Sequence, residues 1–90
     1  MKHILIIEDE PINADRLKRM LLDLDDTLII DGPLSSVQQV LDQLKMQNDY
    51  DLIFSDIRLG NQTVFEAFHE IMPNSFVIFT TAYDEYAMEA

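Results

Sequence analysis

The sequence has no cysteine and no tryptophan, two glycines, three prolines, and six basic residues against seventeen acidic ones. The missing cysteine excludes a disulfide scaffold, thiol catalysis and thiolate metal sites, and it suits a reducing cytoplasm, the expected location. The shortage of base leaves a net charge of −11. Such a surface repels a phosphate backbone, so these residues are not expected to carry a nucleic-acid-binding face. No apolar run approaches the roughly 18 residues of a membrane span, and no membrane contact is expected. Met1–Ile7 runs at once into Glu8-Asp9-Glu10, which is wrong for a secretory signal. What is present is 90 residues at 48% apolar content. That suffices for one small domain, residues 1–90, and is too apolar for a disordered tail.

The apolar segments alternate in period. Ile4–Ile7 is a continuous apolar run and reads as a strand buried on both faces. Pro11 then opens a helix, with Ala14, Leu17, Leu21 and Leu24 on one stripe and Asp23, Asp25 and Asp26 at its end. Thr27–Ile30 is a short strand closed by the turn residues Asp31-Gly32-Pro33. Ser35 with Gln38 predicts a capping box for a second helix carrying Val37, Val40, Leu41 and Leu44, broken at Asn48-Asp49. Leu52-Ile53-Phe54 is a second buried strand. Thr63 with Glu66 caps a third helix, stopped at Pro73-Asn74. Phe76–Phe79 reads as a further buried strand, and Asp84 starts another helix. The alternation predicts an α/β fold, a doubly wound parallel sheet with helices on both faces.

In such a sheet the functional site lies beyond the carboxyl ends of the strands. Those ends carry Glu8-Asp9, Asp56 and Thr80-Thr81. Three carboxylates at one edge repel one another, and a hard divalent cation such as Mg²⁺ resolves that repulsion with oxygen ligands. One carboxylate could then act as a nucleophile toward a phosphoryl group, with a Thr hydroxyl donating to its oxygens. The alternative is that Glu8-Asp9-Glu10 simply favours the start of the helix at Pro11 and Asp56 is an ordinary loop acid. His3 and His69 have no partner at ligand spacing, and the five methionines read as packing.

Three blocks in order, Ile4–Pro11, Asp51–Leu59 and Val77–Ala87, resemble the receiver domain of two-component response regulators. The last block, with Thr80-Thr81-Ala82-Tyr83-Asp84-Glu85-Tyr86, looks like the form found in LytTR-type regulators. The resemblance implies a flavodoxin-like receiver topology and a phosphoacceptor switch rather than an enzyme acting on an external substrate. It implies that Asp56 takes a phosphoryl group from a sensor histidine kinase. Glu8, Asp9, Asp56 and the backbone carbonyl of Arg58 would hold Mg²⁺. Thr81 would be the switch hydroxyl. Separately from the resemblance, Arg58 and Tyr83 lie two residues beyond Asp56 and Thr81. That spacing is expected to let both flank the site and tune the lifetime of the phosphoryl group. The alternative for Tyr83 is a place on a helix surface. The resemblance further implies homodimerisation on activation and transcriptional output through a LytTR-type DNA-binding domain absent from these residues.

Two departures from the family's pattern stand out. Glu8 replaces an Asp and Gln62 a Gly. The family also has a fifth strand, carrying a Lys, and a fifth helix, both missing from this chain. Without them Phe76, Ile78 and Phe79 are expected to be exposed, and the chain alone is expected to associate through that edge or fold poorly. Three other functions compete. An aspartyl-phosphate hydrolase would need an acid two residues past Asp56, where Arg58 stands. A flavin module would need a phosphate loop where Glu8-Asp9-Glu10 repels phosphate. A pseudo-receiver, acting only as a protein-interaction or dimerisation module, fits the absent Lys but not the acids.

Overall fold

The computed structural model describes residues 2–80. Thr81, Tyr83 and the helix expected from Asp84 lie outside the described residues. The centre is β1 (His3–Ile7), whose Ile4, Leu5, Ile6 and Ile7 are all almost fully buried, as an apolar run without polar alternation requires. It pairs in parallel with β2 (Ile29–Leu34) on one side and β3 (Leu52–Ser55) on the other. β3 pairs in parallel with β6 (Phe76–Phe79), giving the order β2-β1-β3-β6. The crossovers are α1 (Pro11–Leu24), α2 (Val37–Met46) and α3 (Val64–Glu70). Between β3 and α3 lies a small antiparallel hairpin, β4 (Arg58–Leu59) and β5 (Gln62–Thr63). The expected doubly wound parallel sheet is therefore observed.

The main core lies between one face of the sheet and α2 and α3. Leu5, Ile7 and Ile53 meet Val37, Val40, Leu41 and Leu44 from α2 and Val64 and Ala67 from α3. Burying each of the Leu, Ile and Val side chains among them contributes about 1.5–3 kcal/mol. On the other face, α1 buries only Ala14 completely. Leu24, expected on the buried stripe, is 84% exposed. The 14 residues of α1 rise about 21 Å against about 17 Å for the five of β1.

Three local expectations need correction. Asp31-Gly32-Pro33 does not close β2; the strand runs through it to Leu34. The register against β1 shifts between Leu5 and Ile7, and Gly32 takes φ 102°. A Cβ on Gly32 would lie 2.4 Å from the Ile6 carbonyl oxygen, so only glycine fits. Pro33 has no N–H for a ladder, and β2 is an outer strand where that costs little. The triplet thus makes a bulge rather than a turn.

The cap of α2 is Ser36, not Ser35. Gln39 N–H donates to Ser36 Oγ at 3.1 Å, and Ser35 N–H donates to Gln39 Oε1 at 2.7 Å. The return bond thus reaches the residue before the cap, so Ser36 caps α2 through its side chain without the reciprocal box expected from Ser35 and Gln38. At α3 the Thr63–Glu66 box forms as expected, with Thr63 N–H donating to Glu66 Oε2 at 3.0 Å. Lastly, β6 is not buried on both faces. The apolar run thus misleads about burial, while the expected exposure of Phe76, Ile78 and Phe79 is observed, and only Val77 packs against the core. Among the described residues β6 is flanked by β3 alone.

Candidate functional site

The parallel register brings the site together. Ile7 lies opposite Ser55, and Ser55 opposite Phe79, so β1, β3 and β6 end in line. The ladder continues one step beyond. Asp56 N–H donates to the Ile7 carbonyl and Thr80 N–H to the Ser55 carbonyl, both at 2.9 Å. Glu8 N–H donates to the Leu34 carbonyl at 2.8 Å. Glu8, Asp9 and Asp56 are thereby held at one edge, and each offers a carboxylate oxygen such that all three lie within 4.8 Å of one another.

Their environments differ. Glu8 is 7% exposed, Asp56 half-buried and Asp9 exposed. Asp56 Oδ1 accepts from Ile57 N–H at 2.8 Å, which fixes one carboxylate oxygen and the plane of the group. The Ser55 hydroxyl donates to the Asp56 carbonyl at 2.8 Å. Glu8 Oε2 accepts from Glu10 N–H at 3.1 Å. Burial nevertheless pushes the Glu8 carboxyl up to about 7; the Glu10 N–H opposes that, and the carboxylates of Asp56 and Asp9 add to it. Among the described residues, no cationic side chain forms an ion pair with any of the three.

Arg58, expected beside the site, opens β4 two residues past Asp56, and its side chain is exposed. Thr80 ends the described residues at the same sheet edge. The donor set is all oxygen, from three carboxylates of which one is largely desolvated. That chemistry fits a hard divalent cation of the Mg²⁺ type and does not suit soft metals.

Two features of the site were not foreseen. One is the hairpin after Asp56, which turns at Gly60-Asn61 with Gly60 at φ 64°. A Gly-Asn pair between two short runs is a hairpin signal, available in the sequence. The other is that Gly60 N–H donates to Asp9 Oδ2 at 2.9 Å, a contact spanning 51 positions of chain.

A parallel β2-β1-β3-β6 sheet that gathers three acids at its carboxyl edge defines a doubly wound α/β domain with a candidate cation site. The comparisons with known proteins resolve the class further. A family model described as the response regulator receiver domain matches residues 4–90, and the chain belongs to that family. It is 36% identical over 93 residues to the sensory transduction protein LytT of Bacillus anthracis, covering 100% of this chain and 37% of that protein. It is 34% identical over 95 residues to the positive alginate biosynthesis regulatory protein of Pseudomonas aeruginosa, covering 98% and 36%. The chain thus spans under two fifths of the length of these relatives. Among solved structures, the response regulator TrrA of Thermotoga maritima, in complex with Mg²⁺ and BeF, superposes with TM-score 0.81 at 28% identity. That match covers 99% of this chain and 76% of that one. The response regulator PhyR of Brucella abortus matches with TM-score 0.79 at 26% identity, over 94% and 35%.

Proposed function

We propose that residues 1–90 are the receiver part of a longer regulator and accept a phosphoryl group on Asp56 from a sensor histidine kinase. The observation that carries this reading is the convergence of Glu8, Asp9 and Asp56 within 4.8 Å at the carboxyl edge of a receiver-family sheet. An Asp56 carboxylate oxygen forms a bond to phosphorus as the bond from phosphorus to the kinase's histidine nitrogen breaks, the electron pair leaving with the imidazole. Ile57 N–H holds Asp56 Oδ1, which orients the other oxygen for attack. Glu8, Asp9, Asp56 and the Arg58 carbonyl would hold the cation. Mg²⁺, when bound, offsets the charge of the carboxylates and of the transferring phosphoryl oxygens. Following the family's pattern, Thr81 supplies the switch hydroxyl; Arg58 and Tyr83, each two residues beyond a site residue, limit water's approach.

The likeness to a sensory transduction protein supports a signalling regulator, which on this reading is cytoplasmic and dimerises on activation. Its output would be transcriptional, through a LytTR-type domain beyond these residues. The test is labelling with acetyl phosphate and Mg²⁺. One acid-labile phosphate is expected per chain, lost completely in Asp56→Asn. Equal labelling of Asp56→Asn and wild type would overturn the assignment. Replacing both Arg58 and Tyr83 by Ala is expected to change the dephosphorylation rate several-fold.

A further inference from the structure

Asp9 differs from the other two acids of the cluster in how it is held. Glu8 is fixed by burial and Asp56 by its place at the end of β3. Asp9 is an exposed side chain in the link between β1 and α1. An exposed carboxylate samples several rotamers, and ordering it on a cation costs entropy. Its one hydrogen-bond partner among the described residues is the backbone N–H of Gly60, from the tip of the β4–β5 hairpin. That contact is to Oδ2 at 2.9 Å and leaves Oδ1 for a metal.

The hairpin is built to deliver this N–H. Gly60 is the first of two turn residues and takes φ 64°, while no non-glycine described residue has positive φ. Glycine at the first turn position is what the tight two-residue hairpin needs. The pairing of Arg58 with Thr63 and of Leu59 with Gln62 then fixes the direction of the turn. Buried Leu59 anchors one arm in the core, and Val64 N–H, donating to the Ile57 carbonyl at 2.8 Å, anchors the other.

We propose that Gly60 is a positioning residue for the metal site: its N–H presets the Asp9 carboxylate for Mg²⁺, and Mg²⁺ in turn clamps the β4–β5 hairpin. The inference rests on the carboxylate cluster being a Mg²⁺ site. Hydrogen-bonded partners of metal ligands commonly govern about 10–100-fold in affinity, and the coupling between hairpin closure and metal binding must be reciprocal.

The experiment titrates the ¹⁵N-labelled protein with MgCl₂ and follows the Gly60 amide together with overall binding. At tenfold over Kd, the solvent exchange of the Gly60 amide is expected to slow about fivefold, approaching about tenfold at saturation, since binding favours the closed hairpin by the same factor the contact contributes to affinity. Gly60→Pro, which removes the N–H, is expected to weaken Mg²⁺ about tenfold. Gly60→Ala keeps the N–H and shares only the penalty of positive φ, because a Cβ there meets nothing within 4 Å. It is expected to weaken Mg²⁺ by about threefold or less. Wild-type Mg²⁺ affinity in Gly60→Pro, or equal losses in the two variants, would overturn the role of the N–H. So would unchanged Gly60 exchange in a wild-type protein that binds Mg²⁺, and this measurement decides should Gly60→Pro fail to fold. Absence of Mg²⁺ binding by the wild type would overturn the metal site and this inference together.

Discussion

Asp31 and Asp56 are both half-buried carboxylates on the same sheet, yet their surroundings are opposite. Asp31 Oδ2 accepts from His3 Nε2 and from the Tyr50 hydroxyl, each at 2.8 Å. Gln43 Nε2 donates to the Tyr50 oxygen at 2.6 Å, and the Gln47 amide meets His3 Nδ1 at 2.9 Å. The His3 and Tyr50 rings pack edge to face, 4.7 Å apart. An ionised carboxylate only accepts, so His3 carries its proton on Nε2. Burial, and then the hydrogen bond to Asp31, pushes the Tyr50 hydroxyl up to about 12, so it stays a donor. At the other edge Asp56 faces two more acids and no ion-paired cation among the described residues. A carboxylate given donors stabilises the fold. A carboxylate given other carboxylates stores repulsion that a bound cation and a phosphoryl group can use.

The contrast can be broken by substitutions at each edge. The largest effect is expected from Tyr50→Ala, which empties a buried ring site and unties the network. It should cost about 3–5 kcal/mol in urea unfolding. Asp31→Ala leaves His3 and Tyr50 without their acceptor and should cost about 1–3 kcal/mol. Asp56→Asn should move the other way, raising metal-free stability by on the order of 1 kcal/mol, because it relieves repulsion at a few ångströms. Destabilisation by Asp56→Asn in metal-free buffer would erase the distinction between the two edges.

A pH series sharpens the same point. The Glu8 carboxyl titrates near 7 in the folded chain against 4.5 ordinarily. Between those values the folded state binds more protons than the unfolded one, so stability falls as pH rises through that window. The metal-free melting temperature should therefore drop from pH 5 to pH 7.5, and Glu8→Gln should flatten the drop. A slope unchanged by Glu8→Gln would show that Glu8 is not the group responsible. The smallest effect is expected away from both edges. Arg19 pairs with Asp15 at 3.1 Å on the open surface of α1, and Arg19→Ala should shift stability by about 0.5 kcal/mol or less.

Much of this was legible along the chain. Continuous apolar runs such as Ile4–Ile7 and Leu52–Phe54 identify buried strands, because a strand covered on both faces needs no polar alternation. Pro11 and the Thr63–Glu66 pair mark helix starts, since those backbone groups need local partners. The acids at strand ends were visible as candidates because a doubly wound sheet collects its strand ends at one edge. Elsewhere local signals misled. Asp31-Gly32-Pro33 has the composition of a turn, and what makes it a bulge is Ile6 passing 2.4 Å from where a Gly32 Cβ would stand. His3 looked isolated because its partners, Asp31 and Gln47, are 28 and 44 positions away.

The sequence by itself determined the order and kind of the main elements, the acidic character of the strand ends and the family. These follow from periodicity, capping and composition, which act over a few neighbouring residues. Only the tertiary structure decided which polar partners each acid finds. It decided that Asp31 meets a histidine and a tyrosine, that Glu8 is the acid of the cluster that is buried, and that Gly60 N–H reaches Asp9 across 51 positions. Those outcomes depend on strand register and on where a hairpin tip points. Both are set by packing between distant segments, and a shift of one residue in register would turn every side chain to the other face.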